Sequence, residues 1–184
     1  IPNRLPRYYH SGETGDVHYV INELRRREPN TTLMAVGFSL GGNVLLKWLG
    51  ETGFNNPLKA AVAVSVPFDL LNASQSMQMG ASRAYQWWLL RLLKKNLANK
   101  INNVKLPIQD EELWELKTFR ELDEKLTAPL HGFTGADDYY QKCSSRQFLS
   151  NIKKPTLILH AADDPFMTES VIPNGDELSA YIEL

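Results

Sequence analysis

The sequence lacks several features that define whole classes of protein. It has one cysteine, Cys143, so it cannot form an internal disulfide, and a reducing compartment such as the cytoplasm is expected. No apolar run reaches the ~20 residues of a membrane-spanning helix, and no signal peptide opens the chain. The formal net charge is −1, which excludes a general electrostatic attraction to nucleic acid. Clustered metal ligands and cofactor motifs are also missing, so no cofactor is predicted.

What the chain does contain predicts a layered α/β fold. Its 184 residues, 43% of them apolar, suffice for one domain. Short apolar runs at 33–36, 59–66 and 156–160 predict buried strands, and 180–184 is a candidate for the last one. Helical periodicity on either side of the first strand predicts flanking helices. A helix between two buried strands is typical of a parallel sheet with right-handed crossovers.

The most informative stretch is residues 37–41. It reads Gly-x-Ser-x-Gly between a predicted strand and a predicted helix, which is the pattern of a nucleophile elbow. In that turn a strained backbone holds the serine above the sheet, and Gly37 and Gly41 are predicted to supply the room for it. Ser39 is therefore the candidate nucleophile, and the backbone N–H of Leu40 is the candidate oxyanion-hole donor.

A serine nucleophile needs a base, normally histidine, which a carboxylate orients. The strand at 156–160 ends in Asp163-Asp164, at the sheet edge where catalytic groups lie in parallel folds. We assign Asp164 as the acid, because it lies three positions beyond Ala161, which takes the usual glycine place in the turn. Asp163 is expected to cap the turn.

The base is not evident from the sequence. The four histidines are His10, His18, His131 and His160, and all of them precede Asp164, whereas the base normally follows the acid. His160 suits a role in the core or behind the site, and the loop histidines His10 and His131 stay open. We expect the base beyond the end of these 184 residues, and the second oxyanion-hole donor before their start.

Residues 70–135 interrupt the alternation of strands and helices, which predicts a helical cap insertion. Helices are predicted at 81–96 and 111–124 with no strand between them, and a further helix at 137–149 leads back to the core. Cys143 lies on that last helix. A packed thiol is the favoured interpretation there, because neither a base nor an elbow surrounds the cysteine.

The first part of this insertion is both basic and aromatic. Residues 70–109 contain six Lys or Arg and no Asp or Glu, together with Tyr85, Trp87 and Trp88. One interpretation is contact with a membrane surface or a lipid; the other is inward packing of the aromatic side chains, with the charged heads in water. We favour packing, so peripheral membrane contact is the less favoured alternative. The oligomeric state is open.

Four segments together resemble a known family. They are residues 3–14, 37–43, 128–133 and 160–166. In this order they resemble the YheT branch of the α/β-hydrolase fold, over essentially the whole chain. The resemblance implies a carboxylic-ester hydrolase with Ser39 as nucleophile and Asp164 as the acid of the charge relay. Members of the family normally carry a His-Gly-type oxyanion loop upstream and a Gly-Gly-His segment downstream, and this sequence has neither.

We therefore interpret residues 1–184 as a partial α/β-hydrolase domain, with a mostly parallel sheet, flanking helices and a helical cap insertion at 70–135. The predicted activity is cleavage of carboxylic esters with an apolar acyl group, through an acyl-enzyme on Ser39. The predicted substrate is a small-molecule ester or a lipid-like compound. The alternative is a non-catalytic binding protein that keeps the fold and lacks a complete triad.

Overall fold

The central element of the chain is a parallel sheet. In a computed structural model that describes residues 5–101 and 104–184, four strands form this sheet: β1 (Met34–Phe38), β2 (Ala60–Val64), β3 (Thr156–Leu159) and β4 (Ile182–Glu183). They lie side by side in the order β1-β2-β3-β4, and every pairing is parallel. The predicted mostly parallel sheet is confirmed, and all four strands lie within their predicted regions or extend them slightly. Residues 3 and 4 of the first family segment, and residues 102 and 103 of the predicted insertion, lie outside the described residues.

Two helices pack with this sheet, α1 (Gly15–Arg27) and α2 (Leu40–Thr52). Helix α2 is buried from Gly42 to Gly50, because its apolar residues occupy almost the whole circumference rather than one stripe. The resulting core combines side chains of α2 with those of β2 and β3: Leu45, Leu46, Trp48, Leu49, Ala61, Ala63 and Ile158. Helix α1 packs against this core through Val17 and Ile21, and its His18 ring meets the Trp48 ring edge-on.

The opposite face of the sheet is apolar and open. Met34, Val36 and Phe38 on β1 are each more than half exposed, and Leu157 and Leu159 on β3 are also exposed. The sequence predicted that β2 is buried on both faces. Instead, its burial alternates along the strand, with every second residue partly exposed, because α1 and α2 pack with only one side of the sheet.

The chain forms two compact units. The sheet unit comprises residues 11–70 and 143–184, and the helical unit comprises the described residues up to His10 together with 71–142. The helices that follow β2 are α3 (Leu70–Ser76), α4 (Ser82–Ile101), α5 (Asp110–Glu115), α6 (Phe119–Leu122), α7 (Ala128–His131) and α8 (Ala136–Cys143). The described residues of 70–135 contain no strand. That residues 70–135 act as a cap stays a prediction.

Two predicted helices are shorter than the sequence indicated. The helix predicted at 111–124 is interrupted, because Leu116 and Thr118 are extended and the Thr118 side chain caps the new helix α6 by accepting the N–H of Glu121 (3.2 Å). The helix predicted at 137–149 ends at Cys143, and a 3₁₀ helix, Arg146–Asn151, replaces its second half.

Helix α4 reverses the expected distribution of its side chains. Trp87 and Trp88 are 60% and 50% exposed. Lys94, in contrast, is buried, and its ammonium donates to the carbonyls of Trp114 (3.1 Å) and Leu116 at the end of α5. The expectation of inward tryptophans and solvated lysines is therefore wrong at these positions. Among residues 5–101 and 104–184, no helix is both long and apolar enough to cross a bilayer.

A carboxylate lies inside the helical unit, and no cation among the described residues is bonded to it. Asp123 opens a single π-helical turn, Asp123–Thr127, and accepts hydrogen bonds from the hydroxyls of Thr127 (2.6 Å) and Tyr140 (2.8 Å). The hydroxyl of Tyr8 bonds that of Thr127 in turn (2.7 Å). Burial raises the pKa of Asp123 to about 6, although these two hydrogen bonds act to lower it.

Candidate active site

Ser39 occupies a strained position between β1 and α2. Its backbone has φ 48° and ψ −120°, a conformation that a residue with a side chain rarely adopts and that costs about 1–3 kcal/mol. Two backbone hydrogen bonds hold it in place: its N–H donates to the Val64 carbonyl (2.8 Å), and its own carbonyl accepts the N–H of Asn43 (3.1 Å). The predicted strand, sharp turn and helix are thus present, with Ser39 at the turn.

The glycines around Ser39 match the prediction at Gly37 but not at Gly41. A Cβ on Gly37 would lie 2.7 Å from the Gly41 carbonyl oxygen, and a Cβ on Gly42 would lie 2.6 Å from a methyl group of Val66. A Cβ on Gly41 would meet no described atom within 4 Å. The prediction for Gly37 is confirmed. The one for Gly41 is wrong, because the close approach between α2 and the segment after β2 occurs at Gly42.

Ser39 and Asp164 lie at the same edge of the sheet. Ser39 follows the carboxyl end of β1 and Asp164 follows that of β3, with β2 between the two strands. Neighbouring strands are about 5 Å apart, so the two strand ends are separated by about 10 Å. A histidine between a nucleophile and an acid spans a gap of this order, so the topology is compatible with the predicted pair.

The turn after β3 fixes the Asp164 carboxylate. The N–H of Asp164 donates to the Ala161 carbonyl (3.2 Å), and Oδ1 of Asp164 accepts the N–H of Phe166 (2.9 Å). The sequence predicted that Asp163 makes the capping contact, and the structure corrects this, since the carboxylate of Asp164 bonds the backbone of the turn. A carboxylate has two acceptor oxygens, so this contact orients Asp164 and leaves capacity for a second donor.

His160 follows β3 directly and packs beside the Phe68 ring, with 5.6 Å between the ring centroids. Its Nδ1 is buried, and no hydrogen-bond partner for it occurs in the described part of the chain. Burial lowers the pKa of His160, and the negative charge of Asp164 opposes this effect. His160 thus follows the same strand as Asp164 and is affected by its charge, whereas Ser39 follows β1.

The other histidines lie on different elements. His18 is on α1 and bonds the side chain of Asn22 (2.8 Å). His10 and His131 belong to the helical unit, where their ring centroids are 4.3 Å apart.

The candidate oxyanion donor Leu40 is the first residue of α2, whose leading N–H groups have no partner within the helix. The assignments of Ser39, Asp164 and Leu40 as site residues stay predictions.

Asn43 was missed by the sequence reasoning. It is completely buried one turn after Ser39, and its amide donates to the carbonyls of Ser11 and Cys143 (2.9 Å each) and accepts the N–H of Ser145 (2.9 Å). All of these backbone groups belong to the sheet unit. An asparagine within the mostly apolar first half of α2 was the available signal, because such a buried amide needs partners.

Arg146 was also missed by the sequence reasoning, and it connects the segments that follow β2 and β3. Its guanidinium donates to both carboxylate oxygens of Glu177 (2.6 and 2.7 Å) and to the Ser170 carbonyl (2.9 Å). Its backbone N–H donates to the Phe68 carbonyl (3.1 Å). The arginine thus joins the segment after β2 to the segments between β3 and β4. The hydrogen bonds from Arg146 lower the pKa of Glu177 to about 2.

A second strained serine ends the neighbouring strand. Ser65 has φ 50° and directly follows β2, and its N–H donates to the Leu159 carbonyl (2.9 Å). Because Phe38 pairs with Val64, Ser39 and Ser65 are the next residues along two paired strands. No sequence signal distinguished Ser65 from an ordinary strand residue.

These features agree with the comparisons to known proteins. Residues 2–182 match the model of the alpha/beta hydrolase fold family, and the chain belongs to that family. It is 46% identical over 184 residues to YheT of Escherichia coli, which covers 99% of this chain and 54% of that protein. It is 35% identical over 169 residues to a monoacylglycerol lipase of Saccharomyces cerevisiae, covering 88% of this chain and 38% of that protein. The mouse monoacylglycerol lipase ABHD2 is 31% identical over 187 residues, with coverages of 95% and 44%. The chain thus spans about half the length of these relatives, or less.

Proposed function

We propose that this protein is a serine hydrolase that cleaves carboxylic esters through an acyl-enzyme on Ser39. The strained backbone of Ser39 at the β1–α2 junction carries the proposal, because it is the geometry that exposes a nucleophile above a parallel sheet. The position of Asp164 after β3 supports it. Relatives that are named as lipases and phospholipases support it as well.

In the proposed reaction, a base removes the Ser39 hydroxyl proton while the oxygen attacks the ester carbonyl. The backbone N–H of Leu40 stabilises the negative charge on the carbonyl oxygen of the tetrahedral intermediate. The base then protonates the leaving alcohol, and water, activated by the same base, releases the acid from the acyl-enzyme. We assign Asp164 to orienting the base, and the base to a histidine of the longer protein outside these 184 residues, because in this family's order it follows the acid.

The proposed substrate class is an ester with an apolar acyl group, of small-molecule or lipid-like type. Two relatives that are named monoacylglycerol lipases support this, and so does the apolar content of the predicted cap. The cytoplasmic location inferred from the single cysteine stays a prediction.

The test uses the full-length protein, a fluorophosphonate probe and a series of nitrophenyl esters of increasing acyl length. Ser39→Ala should abolish labelling and turnover, whereas Ser65→Ala, at the paired strand end, should still be labelled. Asp164→Asn should lower kcat by about 10³–10⁴-fold. Labelling that persists in Ser39→Ala would refute the assignment. A folded wild-type protein that is neither labelled nor active would favour the non-catalytic binding protein.

A further inference from the structure

Helix α4 presents an aromatic face to solvent. Its inner side is buried at Ser82, Gln86, Leu90, Lys94 and Leu97, which recur at the spacing of one helical face. The opposite side carries the four large side chains that we call the aromatic face: Tyr85, Trp87, Trp88 and Leu92, which are 40–60% exposed. Tyr85 and Trp88 stack with 5.9 Å between their ring centroids. Exposed aromatic side chains clustered in this way mark interaction sites on protein surfaces.

Cations surround the aromatic face. Arg83, Arg91 and Lys95 are all exposed on the same helix, and the Arg91 guanidinium lies 5.5 Å from the centre of the Trp87 ring. The other two cations of α4 make internal contacts instead. Lys94 binds carbonyls at the end of α5, and Lys100 donates to the Arg7 carbonyl (2.6 Å).

The acidic residues of this unit begin only after α4. No Asp or Glu occurs between residues 70 and 109, and the first acids are Asp110, Glu111 and Glu112 on α5. Helix α5 meets α4 at Lys94, beyond the aromatic face, and Glu112 forms an ion pair with Lys125 (2.6 Å). Helix α4 therefore carries positive charge from Arg83 to Lys95 without compensating carboxylates on the same helix.

We propose that the aromatic face of α4 docks the protein on the surface of an anionic phospholipid bilayer. Tryptophan and tyrosine favour the boundary between lipid headgroups and acyl chains, and flanking Arg and Lys side chains reach the phosphates. Charge complementarity favours an anionic lipid surface as the partner, because three exposed cations surround side chains that water solvates poorly. The helix lies on the membrane rather than across it. The proposal is independent of Ser39 chemistry, so Ser39→Ala should bind vesicles as the wild type does.

The experiment measures co-sedimentation of the full-length protein with vesicles of phosphatidylcholine alone, or mixed with phosphatidylglycerol, at low and high NaCl. Binding should require phosphatidylglycerol and weaken with salt. Arg91→Gln with Lys95→Gln should weaken binding by roughly thirtyfold, from about fivefold for each cation near the surface. The matched control, Arg25→Gln with Lys59→Gln, removes the same charge at exposed sites on other elements and should have little effect.

A second measurement tests the aromatic face itself. Brominated phosphatidylglycerol should quench tryptophan fluorescence on binding, and Trp87→Phe with Trp88→Phe should bind normally but lose most of the quenching. Trp87→Ser with Trp88→Ser should lose binding. The proposal is overturned if anionic vesicles do not bind, if both charge pairs weaken binding equally, or if binding occurs without quenching at these two tryptophans. It is also overturned if aqueous iodide cannot quench them in the vesicle-free protein, because another protein segment would then cover the face.

Discussion

Replacing Asp123 by asparagine should change the free energy of unfolding in a pH-dependent way. The variant should gain stability relative to wild type as the pH rises from acidic to neutral. The Asp123 carboxylate accepts two hydroxyl hydrogen bonds and no bond from a cation in the described part of the chain, and burial raises its pKa from 3.8 to about 6. At about 1.36 kcal/mol per pH unit, the ionised form is up to about 3 kcal/mol less favourable in the folded protein than in the unfolded chain. The residue keeps part of its surface exposed, so we expect about 1–3 kcal/mol.

The sign follows from the raised pKa. The folded protein binds the Asp123 proton more tightly than the unfolded chain does, so this group adds no penalty below the unfolded pKa of 3.8. The penalty develops as the pH rises from there and is complete above about 6. Asparagine cannot ionise and therefore removes it. The loss of one acceptor oxygen costs about 1 kcal/mol at every pH, so it does not affect the pH-dependent difference.

The assay is urea unfolding of the full-length protein, followed by tryptophan fluorescence, at a series of pH values from 4.5 to 7.5. The free energy of unfolding of Asp123→Asn minus that of wild type should rise by about 1–2 kcal/mol across this interval, because part of the penalty has already developed at pH 4.5. Asp163→Asn, which removes a carboxylate at an exposed position, is the control, and its difference should rise less than that of Asp123→Asn because no burial is relieved. A difference for Asp123→Asn that is constant, or that falls with pH, would refute the reasoning.

Three further predictions concern the sheet unit and use urea unfolding of the same protein. Gly42→Ala should cost about 1–3 kcal/mol, because its Cβ would lie 2.6 Å from a Val66 methyl group, and adding Val66→Ala should recover part of the loss. Asn43→Ala should cost about 2–4 kcal/mol, because three buried backbone groups lose their partner. Glu177→Gln should cost about 1–2 kcal/mol at neutral pH, and this loss should vanish as the pH falls from 4.5 towards 2, since the contact with Arg146 lowers the pKa of Glu177. Losses below about 0.5 kcal/mol would contradict the first two predictions, and a pH-independent loss would contradict the third.

Sequence reasoning succeeded where near neighbours determine the structure. The turn at Ser39 depends on small residues within a few positions of it, and the apolar runs around it predict strands by their composition alone. The glycine assignment shows the limit of such reasoning. Whether Gly41 or Gly42 must lack a side chain depends on the position of Val66, which follows the next strand and becomes a neighbour only after the sheet has formed.

The helix ends show the same division between local signals, which the sequence reveals, and contacts with distant residues, which it does not. The break before α6 had a local signal, Thr118 followed three residues later by Glu121, which is the pattern of a capping box. The break after Cys143 had none, because the Cys143 carbonyl and the Ser145 N–H are bonded by Asn43, one hundred residues before Cys143. Lys94 was predicted to be solvated for a similar reason: its partners are carbonyls at the end of a helix whose packing the sequence does not reveal.

The insertion between β2 and β3 has a consequence for the order of folding. β1 and β2 are separated by only residues 39–59, most of which form α2, so this pair can close soon after both strands are synthesised. β3 joins β2 only after residues 65–155 have been synthesised. Closing this loop costs only about 1.3 kcal/mol more than closing the loop between β1 and β2, but its synthesis delays the pairing for a long time. During that interval the edge of β2, with its run of alanines and valines, is an unpaired template for other strands. Early folding of the helical unit should shorten the exposure of this edge, so mutations that slow that unit should increase aggregation of the nascent chain without changing the backbone geometry at Ser39.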